Sequence, residues 1–400
     1  MIRLHNDFKT IQIAVYFVDL DNKKEAVHRF LLPRLMTSST DQIKSRLLMS
    51  QTMENLYGAY IKGRTERMGN LSVMSFVMTI VDPKIVKDES LFEQAISLFE
   101  DVLFSHTTFN QDVFDDEKRM LIEQWETLKD KKRSYARERF TRLFFEGDAY
   151  EYPLSGTLKD IKKLKMSDVE SYYHMMLQRQ RVYMVVNGHT NGLDFSRLEN
   201  RFKDQHQDYP FITSFRPARE LKYIVEETDM KQAIVNMGYV IPIYRHDPLY
   251  DAAVILDIIL GGYPESRLFK QIREEEGLCY DIASSYDYYK GVSVISSGID
   301  LSKIDHALER MKNLVEVLKN EGITETELMH AKAYYIHQLK SSLDSQSTLT
   351  KRAFVREMLH YQESIEDKIN KIERVTLHDV NQAASQMTLD TIYVLKGGAI

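Results

Sequence analysis

The sequence predicts an α+β fold of two homologous domains, each a mostly antiparallel β-sheet covered by helices. Three observations lead there. Residues 9–18 (KTIQIAVYFV) return, with a similar apolar alternation, as 231–240 (KQAIVNMGYV). Residues 71–75 (LSVMS) return as 292–296 (VSVIS), each behind a turn, Gly69 with Asn70 and Lys290 with Gly291. Strand-like runs are grouped and then followed by stretches of helical period, which fits helices layered on an antiparallel sheet better than an alternating βαβ wind.

Each half reads as β-α-α-β-β-α-α-α-β. The first opens with a strand over 10–19. A helix follows over 25–36, and Pro33 inside it removes a hydrogen bond and predicts a kink or an early stop. The next helix is placed at 41–57, with Ile43, Leu47, Leu48 and Met53 as its buried positions. Two strands meet near Gly69 and Asn70, and a helix covers 89–103. A long charged helical stretch spans 114–145, with apolar positions at Met120, Leu121, Trp125 and Leu128. A helix at 168–177 and a strand at 181–187 close the half. In the second half, strands at 221–226 and 232–240 precede a helix over 248–260, which Gly261 and Gly262 end. Residues 266–276 are helical and 280–297 form a hairpin. Helices at 303–320 and 324–343 and shorter pieces reach 387, and a strand at 392–396 closes the chain. The polar, proline-containing segment 204–219 reads as the linker. The domains are therefore placed at 1–208 and 220–400.

Four hundred residues exceed what one core usually serves. The 53 Lys and Arg stand against 59 Asp and Glu, so no electrostatic footprint for nucleic acid is visible. The single cysteine, Cys279, excludes an internal disulfide and a multi-cysteine zinc site. No run approaches the ~20 apolar residues of a membrane span, and no signal-peptide pattern opens the chain. A cytoplasmic protein is expected.

Between the repeated strands, residues 54–61 (ENLYGAYI) face 273–280 (REEEGLCY). The glycine is kept, but Glu54 and Ile61 stand where the second half has Arg273 and Tyr280. The surrounding stretch 266–280 (SRLFKQIREEEGLCY), followed by 284–289 (SSYDYY), resembles the second-domain signature of the pitrilysin/insulinase family of zinc peptidases. Within it, the similarity is greatest to the short bacterial subunits akin to mitochondrial processing peptidase. Residues 145–155 (FEGDAYEYPLS) resemble the region of the family's His-Pro-Tyr-Gly loop, and the repeat itself agrees. The resemblance covers nearly the whole chain and implies the family's LuxS/processing-peptidase-like metallohydrolase fold.

That family's chemistry lies on a first-domain helix carrying His-x-x-Glu-His. Two imidazoles hold one zinc, a Glu acts as general base, and a later Glu completes the shell. The matching stretch here is 30–34 (FLLPR), with Phe30 and Arg34 at the ligand positions and Pro33 at the base position. The later ligand maps onto Gln124, with Glu123 as the alternative register. Phe has no donor atom, Pro no side-chain base, and Arg only N–H groups. No zinc is expected in this chain. His330 and His337 share a helix face but lie about 10 Å apart along the axis, too far for one metal. His28 reads as a surface or cap histidine, and Glu117 and Glu123 as a solvated helix face.

Arg273 and Tyr280 are the residues that chemistry can still use. In two-part enzymes of the family a matching Arg and Tyr contact substrate near the scissile bond of the other part. The resemblance implies that role here; the plain alternative is an arginine ion-paired with Glu274, Glu275 or Glu276 and a strand tyrosine. Tyr286, Tyr288 and Tyr289 read as core or sheet surface. Gly261 and Gly262 lack the Lys-Ser/Thr of a phosphate loop. No Gly-x-Ser-x-Gly elbow supports a serine hydrolase, and Cys279 reads as a small buried hydrophobe.

The expectation is a non-catalytic subunit of a heterodimeric zinc metallopeptidase, forming half of a closed chamber and binding peptide substrate. Its partner would be a related chain with intact His-x-x-Glu-His and the zinc; alone, this chain would cleave nothing and could pair with itself as a zinc-free homodimer. The second expectation is a peptide-binding or scaffold protein without proteolytic role, of the kind associated with protein modification or peptide maturation.

Overall fold

The computed structural model describes residues 1–202, 209–213 and 217–398. The first half runs β1 (Ile2–His5), β2 (Thr10–Leu20), α1 (Ala26–Met36), α2 (Arg46–Asn55), β3 (Tyr60–Met68), β4 (Leu71–Val81), α3 (Pro83–Val86), α4 (Leu91–Phe104), α5 (Gln111–Glu126), α6 (Lys132–Phe144), α7 (Leu158–Lys163), α8 (Met166–Arg179), β5 (Arg181–Gly188) and α9 (Ser196–Arg201). The second runs β6 (Lys222–Thr228), β7 (Gln232–Val240), α10 (Tyr250–Asp257), two π-helical turns (Ile258–Gly262 and Leu268–Glu275), β8 (Cys279–Asp287), β9 (Val292–Asp300), α11 (Ile304–Glu321), α12 (Glu325–Ser341), α13 (Gln346–Met358), α14 (Ile365–Arg374), α15 (Leu377–Ser385) and β10 (Thr388–Gly397).

The repeat is carried by the topology. Among the described residues there are two five-stranded sheets, ordered β1-β5-β2-β4-β3 and β6-β10-β7-β9-β8. The pairs β1/β5 and β6/β10 are parallel and every other neighbouring pair is antiparallel. The expected α+β class holds. β2 is central because it is apolar on both faces. Its residues Ile11, Ile13, Val15 and Phe17 join Met74, Phe76, Met78 and Ile80 of β4 beneath α1, α4 and α8. β7, with Val235 and Met237, does the same beneath α10, α11 and α15.

The second face of each sheet is covered by a helix from the other half of the sequence. α13 lies on the first sheet, where Phe354 stacks on Tyr16 at 3.9 Å between ring centroids. Gln346 donates to the carbonyls of Thr10 (2.8 Å) and Asn187 (2.9 Å). α6 lies on the second sheet, and Phe140 and Phe144 pack with Ile234, Tyr393 and Leu395. Gly238 allows this approach, since a Cβ there would sit 2.5 Å from the Phe144 ring. One compact unit therefore comprises Met1–Thr127, Tyr152–Ile212 and Ser342–Gln362; the other comprises Leu128–Glu151, Thr213–Ser341 and Glu363–Ile400. The contiguous domains placed at 1–208 and 220–400 are corrected to interleaved ones, because each sheet buries an aromatic second face that its own half leaves bare. The expected linker at 204–219 falls partly outside the described residues.

Other expectations also change. α1 runs through Pro33 to Met36 without stopping. The helix placed at 41–57 starts at Arg46, where the Ser45 hydroxyl accepts from Leu48 N at 3.2 Å. Its buried residue is Met49, whereas Leu47 and Leu48 are 67% and 47% exposed. The stretch 114–145 divides into α5 and α6 across the charged run 129–133, which offers no apolar period. β1, α7 and α9 were not predicted. Among the described residues no helix is long and apolar enough to cross a membrane.

Candidate functional site

The entry to α1 is fixed by charge. Arg29, 2% exposed, donates to the Leu20 carbonyl at 2.9 Å and to Asp21 at 3.0 Å. Arg67 of β3 holds the other oxygen of Asp21 at 2.8 Å. Pro33 has no amide to donate one turn back, to the Arg29 carbonyl. The Thr65 hydroxyl of β3 donates to that carbonyl instead, at 2.6 Å. Gly63 lets β3 close on the same turn, since a Cβ there would lie 2.6 Å from the Pro33 oxygen. The helix survives its proline because the neighbouring strand supplies the missing donor.

On this helix Phe30 and Arg34 are one turn apart, and the Arg34 guanidinium sits 4.6 Å from the Phe30 ring centroid. Arg34 faces Glu117 of α5 at 3.5 Å, and Arg46 of α2 donates to the other Glu117 oxygen at 2.7 Å. Glu117 is only 7% exposed. Its reading as a solvated face is therefore corrected: it is a buried carboxylate shared by two guanidiniums. The reading holds for Glu123, which is exposed and pairs with Arg119 at 3.0 Å. Gln124 is exposed as well. It lies two turns, about 10 Å, beyond Glu117 on α5. The helix thus directs Glu117 at the Arg34 position, whereas Gln124 and Glu123, the two registers the sequence left open, both lie exposed further along α5.

These groups do not fit zinc. Phe30 has no donor, Pro33 no base, Arg34 only N–H groups, and the one buried carboxylate is engaged by arginines. Among the described residues no cluster of three or more His, Cys, Asp or Glu is placed to hold a metal. His28 lies half-buried beside a cavity of about 380 Å³ lined also by Lys23, Lys24, Tyr152 and Lys163. Burial pushes its pKa down, against the opposing pull of Asp168 and Glu25. His330 pairs with Glu265 at 3.4 Å on the surface.

Arg273 sits on the second π-helical turn, Leu268–Glu275. Such wide turns are rare and frequent at functional sites. This one ends with Glu276 N donating to Gln271 O at 3.1 Å and Leu278 N to Ile272 O at 2.9 Å. Gly277, at φ +58°, then turns the chain into β8. Arg273 is exposed and stacks on Phe269 at 4.3 Å. It makes no ion pair with its glutamate neighbours among the described residues; Glu276 is held by Arg310 at 2.5 Å instead. The ion-paired alternative is set aside.

β8 bulges at Tyr280. Cys279 lies opposite Ile299 and Asp281 opposite Gly298, which leaves Tyr280 between them without a counterpart. Bulges re-aim side chains, often beside sites of chemistry. Tyr280 is 58% exposed and its phenol makes no hydrogen bond among the described residues. The bulge is clamped from beneath. Arg133 of α6 grips Asp281 with two bonds of 2.5 and 2.6 Å, and the Ser297 hydroxyl donates to the Asp281 carbonyl at 2.9 Å. Arg133, foremost, and Arg273, to a lesser degree, hold the Asp281 carboxyl below its usual range. Arg273 and the bulge thus share one electrostatic neighbourhood. Cys279 is buried and burial pushes its thiol up, so it is no nucleophile. Tyr286 donates to the Ile243 carbonyl, and Tyr288 donates to Tyr289 at 3.2 Å, all three rings being half-buried.

The first half has the same turn without the same outcome. Gly58 is left-handed like Gly277, at φ +75°. Yet β3 pairs with β4 without a bulge, and Glu54 and Ile61 replace the arginine and the tyrosine.

Residues 163–335 match the family described as "Peptidase M16 inactive domain". A Bacillus subtilis (strain 168) protein named "Probable inactive metalloprotease YmfF" is 25% identical over 98% of this chain and 93% of its own length. The crystal structure of a conserved protein from Enterococcus faecalis V583 superposes with a TM-score of 0.90 at 24% identity, over 99% of this chain and 96% of that one. A Pseudomonas fluorescens structure described as a peptidase M16 inactive domain has a TM-score of 0.81 at 17% identity, over 100% and 95%.

Proposed function

We propose that this chain, whose residues 163–335 match the peptidase M16 inactive domain, belongs to that family and is the non-catalytic subunit of a two-subunit zinc metallopeptidase. It lends Arg273 and Tyr280 to a site whose metal is held by a related partner with intact His-x-x-Glu-His. One observation carries the reading. The positions that the resemblance assigns to metal in the first half hold Phe30, Pro33 and Arg34, while in the second half Arg273 and Tyr280 stand exposed with no competing acceptor among the described residues. Guanidinium and phenol are both protonated donors at neutral pH. Aimed at a peptide carbonyl, they orient the substrate and support negative charge developing on its oxygen. Neither accepts a proton, so the general base belongs to the partner.

The test begins with recovery of the partner from the native cell and metal analysis of both chains. One zinc in the partner and none in this chain is expected. In the reconstituted pair, Arg273→Ala and Tyr280→Phe should each lower kcat by ~10²–10³ with assembly intact, the cost typical of losing such a donor. Undiminished turnover in both variants would overturn the donor role and favour a peptide-holding scaffold.

A further inference from the structure

We infer that the open edge of β3 selects extended peptides bearing carboxylates at alternate positions; this rests on the reading of the chain as a peptide binder. β3 is the outer strand of its sheet, with β4 as its single strand neighbour among the described residues. An outer strand leaves half of its backbone N–H and C=O groups free to pair with an added strand.

What distinguishes this edge is its unengaged charge. β3 carries four charged residues. Glu66 is tied to Lys351 at 2.6 Å, and Arg67 to Asp21 at 2.8 Å. Lys62 and Arg64 are both exposed and neither meets a carboxylate among the described residues; Lys62 rests over the Tyr60 ring at 4.9 Å. The outer strands of the other sheet differ. On β6, Lys222 pairs with Glu146, Glu226 with Arg139, and Glu227 with Lys396. On β8, Asp281 is gripped by Arg133. β1 is four residues long, and its Arg3 stacks on Phe195 at 5.5 Å.

Lys62 and Arg64 lie two residues apart, so they point to one face with about 6.8 Å between their positions along the strand. A strand added to β3 repeats that spacing at its own i and i+2 residues. Acidic side chains there lie directly across from the two cations, a pairing that favours opposite charge. Gly63, between them, has its other face filled by Pro33 and offers no side chain to obstruct the edge. Charge on an edge strand also guards against aggregation, and the experiment separates the two roles.

Two labelled decapeptides of β-forming sequence, identical except for Glu or Gln at two alternate central positions, are titrated into the full chain by fluorescence anisotropy. The Glu peptide should bind about tenfold tighter at low salt, with the preference fading as ionic strength rises. Lys62→Gln with Arg64→Gln should remove the preference, and Lys62→Glu with Arg64→Glu should reverse it. Both residues are exposed, so folding is unaffected, which circular dichroism would check. Equal binding of the two peptides, or a preference untouched in the variants, leaves these cations as edge guards and overturns the inference while peptide binding stands. Absence of binding by either peptide overturns both this inference and the peptide-binding reading beneath it.

Discussion

Arg34, where the family resemblance would place a metal ligand, changes what its neighbours do. Arg34 cannot share zinc with Glu117, but with Arg46 it can neutralise the buried carboxylate, and the Phe30 ring holds its guanidinium flat. That Phe30, Pro33 and Arg34 offer zinc no ligand atom was legible from residue types alone, because donor capacity belongs to the side chain wherever it sits. That Glu117 answers Arg34 was not legible, because only packing sets the height of α5, and the sequence pointed instead to Gln124 or Glu123 further along the helix. A second residue-scale arrangement was invisible from the sequence. His189 lies between Asp82 (2.8 Å) and Asp7 (3.1 Å), and their bonds raise its pKa above the ordinary 6.5. A raised folded value means the charged form stabilises the fold. That contribution is complete below the unfolded value and disappears as pH rises through the folded one. His189→Gln should therefore be less stable than the parent at about pH 5.5, and the difference should shrink by about pH 9. Urea denaturation at both pH values measures this; an equal difference at both would exclude the ion pairs as its source.

At the scale of elements, α1 shows how a strand overrides a helix breaker. Interior proline ordinarily costs about 3 kcal/mol. Here Thr65 supplies the donor to the Arg29 carbonyl, and Gly63 gives β3 the room to deliver it. Thr65→Val should destabilise by about 1–2 kcal/mol by leaving that carbonyl unpaired. Gly63→Ala should cost a further 1–3 kcal/mol or so, by forcing β3 off the helix. Thermal denaturation with an exposed control such as Thr108→Val would register both. The β2/β7 and β4/β9 repeats were legible because period-2 apolar runs and turn glycines are local signals. The π-helical turn under Arg273 and the bulge at Tyr280 were not, because each is a one-residue adjustment imposed by a neighbouring element. α2 shows the limit of apolar pattern: Leu47 and Leu48 face outward because Met49 reaches the core first.

At the scale of the whole chain, each half covers the second face of the other half's sheet. Residues 342–362 belong with the first sheet and 128–151 with the second. A fragment ending at residue 212 would lack α13 and expose Tyr16, Tyr183 and the polar ends of Asn187 and Gln12. Such a fragment should be poorly folded and aggregation-prone, since a sheet with one bare face cannot bury enough apolar surface. Adding a 342–362 peptide should restore cooperative unfolding and solubility. A fragment that folds cooperatively without it would show that α13 is dispensable.

The sequence alone determined the repeat, the α+β class, the donor-poor side chains Phe30, Pro33 and Arg34, and the presence of Arg273 and Tyr280 in one half only, because these rest on residue identity and on periods read within a few positions. Tertiary structure decided which helix covers which sheet face, which acid meets Arg34, how α1 tolerates Pro33, and that Tyr280 stands out from its strand. Each of those depends on groups far apart in sequence meeting at a distance of a few ångströms, and no local pattern encodes such a meeting.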